Sequence, residues 1–443
     1  MRRKVLAVLL ACTMAFSLAA CGSSNDAPAD TSDSSAATTE DSAAEDSAAT
    51  EDTADAATED VDYGSGTITI WVAEEVGSFT QTQAENFLAE HPEFSGYTVS
   101  VEAVGEGDAA SNMITDVEGG ADLFGFAQDQ LARLVAAGAV MEVIGDYADF
   151  VATNNDAGAV SAAQMGGATY AFPLTSDNGY FLYYDSSVVT DPSTLEAVVA
   201  DCEAAGKGIY MEINSGWYMP AFFFATGCEL TYETDSDGNF TQSNISYASE
   251  NGVKAMKAIV ELSNSTAFYN GSSVSNATNA AAIVDGTWDS SAAKELFGDN
   301  YACAKLPTFT VDGETFQMSG FGGFKLLGVK PQTDIGKATV CLELAKYLSS
   351  AEVQLARYNE VGWGPSNLEA QADDAVKSDE ALSALAEQLA FTIPQGQYPN
   401  DFWSLSTALG DDIIADKYDN ASDEELLSAL EEFQATCESY VTQ

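Results

Sequence analysis

Basic residues and histidine are scarce in this sequence. Only 16 Lys and Arg stand against 69 Asp and Glu, which gives a formal net charge of −53 at pH 7. Nucleic acids and anionic membrane surfaces are bound through basic patches, so this balance excludes both as direct partners. The one histidine, His91, lies before Pro92 at a predicted helix end. Catalysis by a histidine triad and metal binding by clustered histidines are therefore excluded as well.

Motifs that would indicate a zinc site or a nucleotide site are missing too. The seven cysteines include no C-x-x-C pair, which argues against zinc. No P-loop and no G-x-S-x-G nucleophile motif occurs. One or two disulfides are compatible with an exported protein, but the pairing is left open among five widely spaced cysteines: Cys202, Cys228, Cys303, Cys341 and Cys437.

The first twenty residues have the features of an export signal. Basic residues at positions 2–4 precede an apolar run, Val5–Leu18, which is too short to span a bilayer. The tetrapeptide LAAC ends at Cys21 and resembles a bacterial lipobox. We therefore predict that residues 1–20 are a lipoprotein signal peptide and that lipid on Cys21 anchors the chain to the outer face of the cell membrane. The alternative is an ordinary signal peptide that happens to contain a cysteine.

An acidic linker follows the predicted lipid anchor. Residues 21–62 are rich in Ala, Ser, Thr, Asp and Glu, and no Lys or Arg occurs between Gly22 and Asp62. A segment with so few large apolar residues cannot bury a core, so we predict that it is disordered. A coil of about 40 residues reaches roughly 35 Å, and like charges extend it further. The linker is therefore expected to act as a tether.

Beyond the linker, predicted strands and helices alternate. GTITIWV at Gly66–Val72 predicts a buried strand, and a helix with Ala84, Phe87 and Leu88 on one face ends at His91. Next come a strand at Tyr97–Val104, a helix at Ser111–Glu118, a strand at Ala121–Phe126 and a helix at Leu131–Ala137. This alternation is typical of parallel βαβ units. About 380 ordered residues exceed one small domain, so two lobes are expected.

Several stretches of the body have a specific order and spacing. They are GTITIWV from Gly66, ADLFGFAQDQLARLVAAGAVMEV from Ala121, GGATYAFPLTSDNGYFLYYDSSVV from Gly166, GKGIYMEINSGWYMPAFFFATGCEL from Gly206, AAIVDGTWDSSAAKEL from Ala281, LPTF from Leu306 and NDFWSLSTAL from Asn400. As an ordered set they resemble the maltose-type bacterial extracellular solute-binding proteins. The resemblance covers nearly all of the chain from Gly66 to Ile414.

The resemblance implies an α/β, two-lobe periplasmic-binding-protein-like fold with hinge crossovers and a ligand in the interlobe cleft. The N-terminal lobe would comprise residues 63–175 plus 320–372, and the C-terminal lobe residues 176–319 plus 373–443. The glycine-rich GFGGFK at Gly320 is interpreted as the second hinge crossing. Family members capture carbohydrates for ABC importers. We therefore expect a monomer without enzymatic activity, cofactor or metal that delivers an oligosaccharide, above all a maltooligosaccharide, to permease subunits.

The resemblance also implies which residues bind the ligand. Sugars present apolar C–H faces and a rim of hydroxyls, which aromatic rings and carboxylates match. The acidic candidates are Glu75, Asp108, Asp129 and Asp177, and the aromatic candidates are Phe126, Trp217, Tyr218, Trp288, Trp363 and Trp403. Val76, Gln130 and Gly216 depart from the family pattern. The first two stand where relatives carry basic residues, which favours a neutral ligand.

Other interpretations stay open at this stage. The ligand could be a β-linked or galactoside-type oligosaccharide instead. A glycoside hydrolase needs only two carboxylates, which 69 acidic residues could supply. A peptide or amino-acid binder and a surface adhesin are further alternatives, although charged ligands call for basic residues in the cleft. Asp235–Asn239 resembles the start of a calcium loop, but the missing glutamate at its twelfth position indicates a hairpin turn between Tyr232 and Phe240.

The linker generates the first testable prediction. Deletion of Gly22–Asp62 should leave the affinity for ligand in solution within about twofold of the full chain, because no predicted binding residue lies in this segment. Isothermal titration on the two purified chains measures this affinity, and uptake by cells that carry each chain measures delivery. We expect only delivery to fall. A loss of affinity in the deletion variant would contradict the role of a tether.

Overall fold

The structure is a computed structural model that describes residues 61–441. The predicted signal peptide, Cys21 and the linker as far as residue 60 lie outside these described residues, and the inferences about them stay predictions. Within the described part, no helix combines the length and the apolar character that are needed to cross a membrane.

Strands and helices alternate along the chain. The first half has β1 (Gly66–Val72), α1 (Glu74–Glu90), β2 (Tyr97–Ala103), α2 (Glu106–Thr115), β3 (Leu123–Ala127), α3 (Leu131–Ala136), α4 (Asp146–Asn154), α5 (Ala157–Ala162), β4 (Gln164–Met165), β5 (Ala168–Thr169), β6 (Ala171–Asp185), α6 (Leu195–Ala205), β7 (Gly208–Tyr210) and α7 (Pro220–Ala225). The order continues with β8 (Leu230–Thr234), β9 (Phe240–Ile245), α8 (Glu250–Ser263), β10 (Phe268–Tyr269), β11 (Ala280–Gly286), α9 (Ser290–Phe297), β12 (Tyr301–Ala304), β13 (Thr308–Val311), β14 (Glu314–Gln317) and β15 (Phe321–Val329). The last elements are α10 (Ile335–Leu348), α11 (Ala351–Val361), α12 (Leu368–Gln371), α13 (Asp374–Lys377), α14 (Glu380–Gln388), β16 (Ile393–Pro394), α15 (Asn400–Ile414) and α16 (Asp423–Glu438).

The first strands and helices follow the predicted alternation, with one clear correction. β1 pairs in parallel with β2 and β3, as expected for βαβ units. The helix predicted at Ser111–Glu118 instead begins at Glu106. Gly105 and Gly107 favour a loop when the sequence is considered alone. Acidic residues at positions 106 and 108 nevertheless stabilise the first turn, because they interact favourably with the helix dipole.

The long strand β6 joins two groups of strands in the main sheet. The hydrogen-bonded path runs β10-β7-β11-β6-β15-β3-β1-β2. Residues 171–179 of β6 pair antiparallel with β15, whereas residues 180–185 of the same strand pair with β11 and β12. β15 also pairs with β3 and, at its start, with β16. Both β6 and β15 therefore pass from one group of strands to the other.

The hydrophobic residues form separate cores on the two sides of these crossing strands. One core contains buried residues from Ile68 to Leu174 and from Leu326 to Trp363. A second contains residues from Tyr180 to Phe321 and from Tyr398 to Cys437, with a smaller cluster around Phe181 and Leu385 beside it. We call the elements around the first core the first lobe and those around the other two clusters the second lobe.

The structure answers two questions that the sequence left open. All five cysteines of the described part are free thiols, and all but the half-buried Cys303 are buried. Burial raises the pKa of Cys341 to about 12, which keeps this thiol protonated and unreactive. Asp235–Asn239 is a hairpin turn between β8 and β9, as predicted. The Asp235 carboxylate accepts hydrogen bonds from the backbone amides of Asp237 and Asn239 within that turn.

Asp122, just before β3, generates a stability prediction. Its buried carboxylate accepts a hydrogen bond from the Thr69 amide at 3.0 Å and lies 2.7 Å from the Lys337 ammonium. Burial alone would raise the pKa of this carboxyl, but the Lys337 ammonium and the Thr69 amide lower it below its ordinary value. Asp122→Asn should therefore lower the free energy of unfolding at pH 7 by about 1–3 kcal/mol.

The pH dependence of this loss provides the check. Because the pKa of Asp122 is lower in the folded state than in the unfolded chain, its ionised carboxylate adds to the unfolding free energy at pH values above the ordinary carboxyl pKa. This contribution disappears as the pH falls through the lowered pKa of the folded state. Urea unfolding at pH 7 and at pH 3 should therefore show a smaller difference between the wild type and Asp122→Asn at the lower pH. Asp299→Asn, which alters an exposed carboxylate, is the control. An equal difference at both pH values would contradict the ionic role of Asp122.

Candidate functional site

A cavity of about 350 Å³ lies where residues of both lobes meet the crossing strands. The first lobe contributes residues that follow β1, β2 and β3, because parallel strands end at the same edge of a sheet. The second lobe contributes three tryptophans and a tyrosine. The lining residues are Glu75, Glu106, Gly107, Ala127, Asp129, Gln130, Asn178, Trp217, Tyr218, Trp288, Lys325, Gln395 and Trp403.

The second lobe presents aromatic rings to this cavity. Trp217 and Trp288 are half-buried, and their ring centroids lie 5.7 Å apart with an angle of 44° between the planes. Tyr218 packs edge-on against Trp217, with ring centroids 4.9 Å apart, and its hydroxyl donates to the Asp285 carboxylate at 3.0 Å. The fourth ring, Trp403, lies near the start of α15. The three half-buried indole rings offer apolar faces to a flat ligand, and the buried Tyr218 ring packs behind Trp217.

Two glycines let the tryptophans lie close to the backbone. A Cβ atom on Gly286 would come within 2.0 Å of the Trp288 ring. The indole therefore fits against the end of β11 only because residue 286 has no side chain. A Cβ atom on Gly216 would lie 3.1 Å from the Trp403 ring and 2.8 Å from Ser406. The absence of a side chain at Gly216, noted above as a departure from the family pattern, therefore makes room for the packing of Trp403.

Gln395 connects the two lobes at the floor of the cavity. It lies just after β16, and its side chain is buried. The Gln395 amide donates to the Asp129 carboxylate of the first lobe at 2.8 Å. The side-chain oxygen Oε1 of Gln395 accepts hydrogen bonds from the Trp217 indole of the second lobe at 3.2 Å and from the Asn178 side-chain amide of β6 at 3.4 Å. One side chain thus fixes a carboxylate, an indole and an amide around the cavity.

Asp129 is the most deeply buried carboxyl group of the lining, with 1% of its surface exposed. Besides Gln395, the neighbouring Gln130 side chain donates to it. Burial raises the pKa of the Asp129 carboxyl to about 7, although hydrogen bonds from its own amide and from Gln130 and the charge of Arg133 act in the opposite direction. Near neutral pH this group therefore exists in both the ionised and the protonated form.

Lys325 is a cationic group of the lining that sequence reasoning missed. It lies on β15, and only 6% of the residue is exposed. Its ammonium lies 3.6 Å from the Glu106 carboxylate and over the rings of Trp288 and Trp363, at 5.0 and 3.7 Å from their centroids. Val76 and Gln130 stand where relatives carry basic residues, and β15 contributes a basic residue to this cavity instead. A lone lysine within the apolar stretch Phe321–Val329 was the signal in the sequence.

The family model of the bacterial extracellular solute-binding proteins matches residues 82–384. The chain belongs to this family. It is therefore an exported solute-binding protein and not an enzyme, which removes the glycoside hydrolase from the alternatives. The fold is the two-lobe α/β fold of periplasmic-binding-protein-like proteins, as predicted. Within the described residues, no cluster of three or more His, Cys, Asp or Glu side chains is suited to hold a metal ion.

Individual relatives agree with this assignment. The galactooligosaccharide-binding protein of Bacillus subtilis (strain 168) is 25% identical over 242 residues, which span 50% of this chain and 56% of that protein. A chain solved with acarbose is 25% identical, with a TM-score of 0.72 over 85% of this chain and 99% of the other. The maltodextrin-binding protein of L. casei BL23, solved without ligand, is 23% identical, with a TM-score of 0.69 over 84% and 99%.

The structure of this solute-binding protein brings most of the predicted site residues together. Glu75, in the first turn of α1, lines the cavity from the first lobe together with Asp129. The second lobe supplies the predicted rings, Trp217, Tyr218, Trp288 and Trp403. Sequence reasoning missed further polar lining residues, namely Glu106, Asn178, Lys325 and Gln395, and it treated Gln130 only as a departure from the family.

Two of the other predicted residues lie away from the lining for simple geometric reasons. Asp108 is exposed on α2, and Glu106 at the start of the same helix faces the cavity instead. Phe126 is fully buried in the first-lobe core. It lies on the same face of β3 as Phe124, two residues earlier, and the two ring centroids are 5.6 Å apart. An aromatic residue at a strand end can thus belong to the core instead of the cavity.

Asp177 and Trp363 also lie behind the cavity wall. The buried Asp177 carboxylate on β6 accepts hydrogen bonds from the Thr287 hydroxyl and the Gly364 amide. Burial raises the pKa of this carboxyl above its ordinary value. Asp177 therefore connects a crossing strand with the end of β11 and with the segment after α11. Trp363 lies beneath the Lys325 ammonium, so both residues support the cavity from behind.

The pKa of Asp129 predicts a pH-dependent effect on stability. Because the pKa of Asp129 is raised, the folded protein keeps a proton on this carboxyl at pH values where the unfolded chain has already lost it. The contribution of Asp129 to the unfolding free energy is therefore fully present below about pH 4, the ordinary carboxyl pKa. It is lost as the pH rises through about 7, the pKa in the folded state. Between pH 5 and pH 8 the wild type should lose about 2–3 kcal/mol of unfolding free energy relative to Asp129→Asn, which cannot ionise.

Denaturant unfolding at several pH values measures this difference. Asp108→Asn, which alters an exposed carboxylate of the neighbouring helix, should show a difference from the wild type that varies little between pH 5 and pH 8. A flat difference between the wild type and Asp129→Asn over the same range would show that the Asp129 carboxyl titrates near its ordinary pKa.

Proposed function

We propose that this protein is the carbohydrate-binding subunit of an ABC importer, which captures an oligosaccharide outside the cell and delivers it to permease subunits. Maltooligosaccharides are the first candidate ligands. The single observation that carries this proposal is the group of three tryptophans, Trp217, Trp288 and Trp403, that faces buried carboxyl and amide groups across one cavity.

The size and the lining of the cavity support a sugar ligand. Its volume of about 350 Å³ falls in the usual range of small-molecule pockets. Indole rings match the apolar C–H faces of pyranose rings by stacking. The side chains of Asp129, Asn178 and Gln395 offer acceptors and donors for the hydroxyl rim. A sugar needs both kinds of surface at once, and this cavity has one on each side.

The relatives support the same class of ligand. The names of two of them specify galactooligosaccharide and maltodextrin binding, and the third was solved with acarbose. A peptide or amino-acid ligand and an adhesin role have no comparable support. The galactooligosaccharide-binding relative keeps a second candidate open, namely a β-linked or galactoside-type oligosaccharide as the natural ligand.

We propose that ligand binding closes the two lobes around the cavity. The proposed boundaries are residues 63–175 plus 320–372 for the N-terminal lobe and 176–319 plus 373–443 for the C-terminal lobe. The separate cores support this division, since buried residues up to Leu174 belong to one core and residues from Tyr180 to the other. Closure would shift an open–closed equilibrium, because the ligand contacts both lobes only in the closed form.

The site residues follow from this proposal. Trp217, Tyr218, Trp288 and Trp403 would stack on sugar rings, and Glu75 and Asp129 would bind hydroxyls. Asp108, Phe126, Asp177 and Trp363 are not proposed as direct contacts, because they do not line the cavity. A lipid on Cys21 would keep the monomeric protein near its permease. No catalytic residue, cofactor or metal is part of the proposed mechanism.

Titration of the purified protein with neutral trisaccharides tests the function. We expect calorimetric binding of maltotriose, or of a β-galactosyl trisaccharide if the second candidate is correct. Trp288→Ala should weaken binding at least about 10-fold, because it removes a central aromatic contact. Trp71→Ala is the matched control, since this half-buried indole on β1 lies outside the cavity lining.

The outcomes separate the function from the site assignment. No heat with any maltooligosaccharide would reject the maltodextrin version of the proposal, and no heat with either class of sugar would reject a carbohydrate ligand. An unchanged affinity of Trp288→Ala, in a protein that does bind sugar, would reject only the assigned role of this residue.

A further inference from the structure

Lys325 and Glu106 form a pair of opposite charges in the wall of the cavity. Lys325 projects from β15, a strand that passes between the lobes, and Glu106 is the first residue of α2. The Lys325 side chain is 8% exposed and the Glu106 side chain 19% exposed, yet both residues line the cavity. The pair is therefore largely withdrawn from bulk solvent while both residues still reach the cavity.

The Lys325 ammonium is held in place without satisfying its hydrogen-bonding capacity. The ammonium lies over the Trp363 ring at 3.7 Å and over the Trp288 ring at 5.0 Å from the centroids, so cation–π attraction positions the charge. The distance of 3.6 Å to the Glu106 oxygen exceeds that of a hydrogen bond. Among the described residues, no oxygen accepts a hydrogen bond from this ammonium. An ammonium carries three N–H donors, so donors remain for a ligand in the cavity.

The chemistry of the pair fits two neighbouring hydroxyl groups. The ammonium can only donate hydrogen bonds, and the Glu106 carboxylate can only accept them. Two hydroxyls on adjacent carbons of a sugar ring can satisfy both, since one accepts from Lys325 while the other donates to Glu106. The Trp288 ring lies next to the ammonium, where it can stack on the same sugar ring. We propose that Glu106 and Lys325 together bind a vicinal diol of a neutral sugar ring that stacks on Trp288.

This assignment rests on the proposed carbohydrate function and narrows the class of ligand. Among the lining residues, the carboxyl groups of Glu75, Glu106 and Asp129 face the single ammonium of Lys325. Because Glu106 already compensates Lys325, a ligand with its own carboxylate would meet an excess of negative charge. Neutral sugars avoid this repulsion and still use both members of the pair. Uronic acids are therefore outside the proposed class.

Calorimetric titration with maltotriose and with a β-galactosyl trisaccharide tests the pair. Charge-assisted hydrogen bonds predict that Lys325→Met weakens binding about 10- to 100-fold, and that Glu106→Gln weakens it about 10-fold. The double variant should lose about as much affinity as Lys325→Met alone, because both residues bind the same diol and their effects are not additive. Lys325→Met should still unfold in one cooperative transition, since methionine fills the space over Trp363, and a folded variant with weakened binding separates the loss of affinity from a loss of the fold.

Matched controls separate a local effect from a general change in charge. Lys254→Met removes a lysine of α8 whose ammonium lies 3.2 Å from the Glu314 carboxylate and which does not line the cavity, and it should leave the affinity within twofold. Lys325→Arg keeps the charge and should retain more affinity than Lys325→Met. Wild-type protein titrated with trigalacturonic acid should give no measurable binding.

Each contrary result has a distinct meaning. An affinity of Lys325→Met or Glu106→Gln within twofold of the wild type would overturn the diol assignment while carbohydrate binding stands. Additive losses in the double variant, or binding of trigalacturonic acid as tight as that of the neutral sugars, would overturn it as well. If Lys325→Met fails to fold, Lys325→Arg and Glu106→Gln decide the question. No binding of either neutral trisaccharide by the wild type would overturn the function and the diol assignment together.

Discussion

The antiparallel pairing of β6 with β15 is the constraint on which the cavity depends. These two strands pass between the hydrophobic cores, and their register places Asn178 of β6 opposite Gly323 of β15. β16 pairs with the start of β15 and brings Gln395 to the same place. The polar floor of the cavity therefore comes from the segments that connect the lobes, while the aromatic wall comes from one lobe and the acidic wall from the other.

This arrangement explains how one small cavity can be both rigid and hinged. Gln395 contacts Asp129 of the first lobe and Trp217 of the second, so its position depends on the angle between them. Asp177 performs a similar task behind the wall, where it connects β6 to the end of β11 and to Gly364. Hydrogen bonds between buried polar groups fix specific geometries because losing a partner is costly. The connecting segments thereby define which lobe angle assembles the complete site.

The aromatic wall could be predicted from the sequence because the family resemblance assigned these rings to the site and the local sequence agrees with it. Trp217 directly follows Gly216 before α7, and Trp288 lies two residues after Gly286, between β11 and α9. The polar floor could not be predicted in this way. Gln395 becomes significant only when β16 pairs with β15, and Lys325 only when its strand proves to be buried. The residues around Gln395 and Lys325 in the sequence show neither the pairing of β16 with β15 nor the burial of β15.

The lack of tertiary information in the local sequence also explains why some predicted site residues do not line the cavity. Phe126 and Asp129 are three residues apart, yet the pleat of β3 turns the first into the core and the turn after the strand brings the second to the cavity. Asp108 and Glu106 share one helical turn, and the direction of α2 decides which of them faces the cavity. The overall fold was easier to predict, since the alternation of strands and helices is repeated many times along the chain.

The distribution of tryptophan has a spectroscopic consequence. Of the five tryptophans in the sequence, three line the cavity and a fourth, Trp363, lies under the Lys325 ammonium beside it. Only Trp71 lies apart from this region, on β1. The ultraviolet emission of the folded protein therefore originates largely from the cavity and its immediate support. Intrinsic fluorescence should thus serve as a label-free reporter of occupancy, with no need for a dye or an engineered thiol.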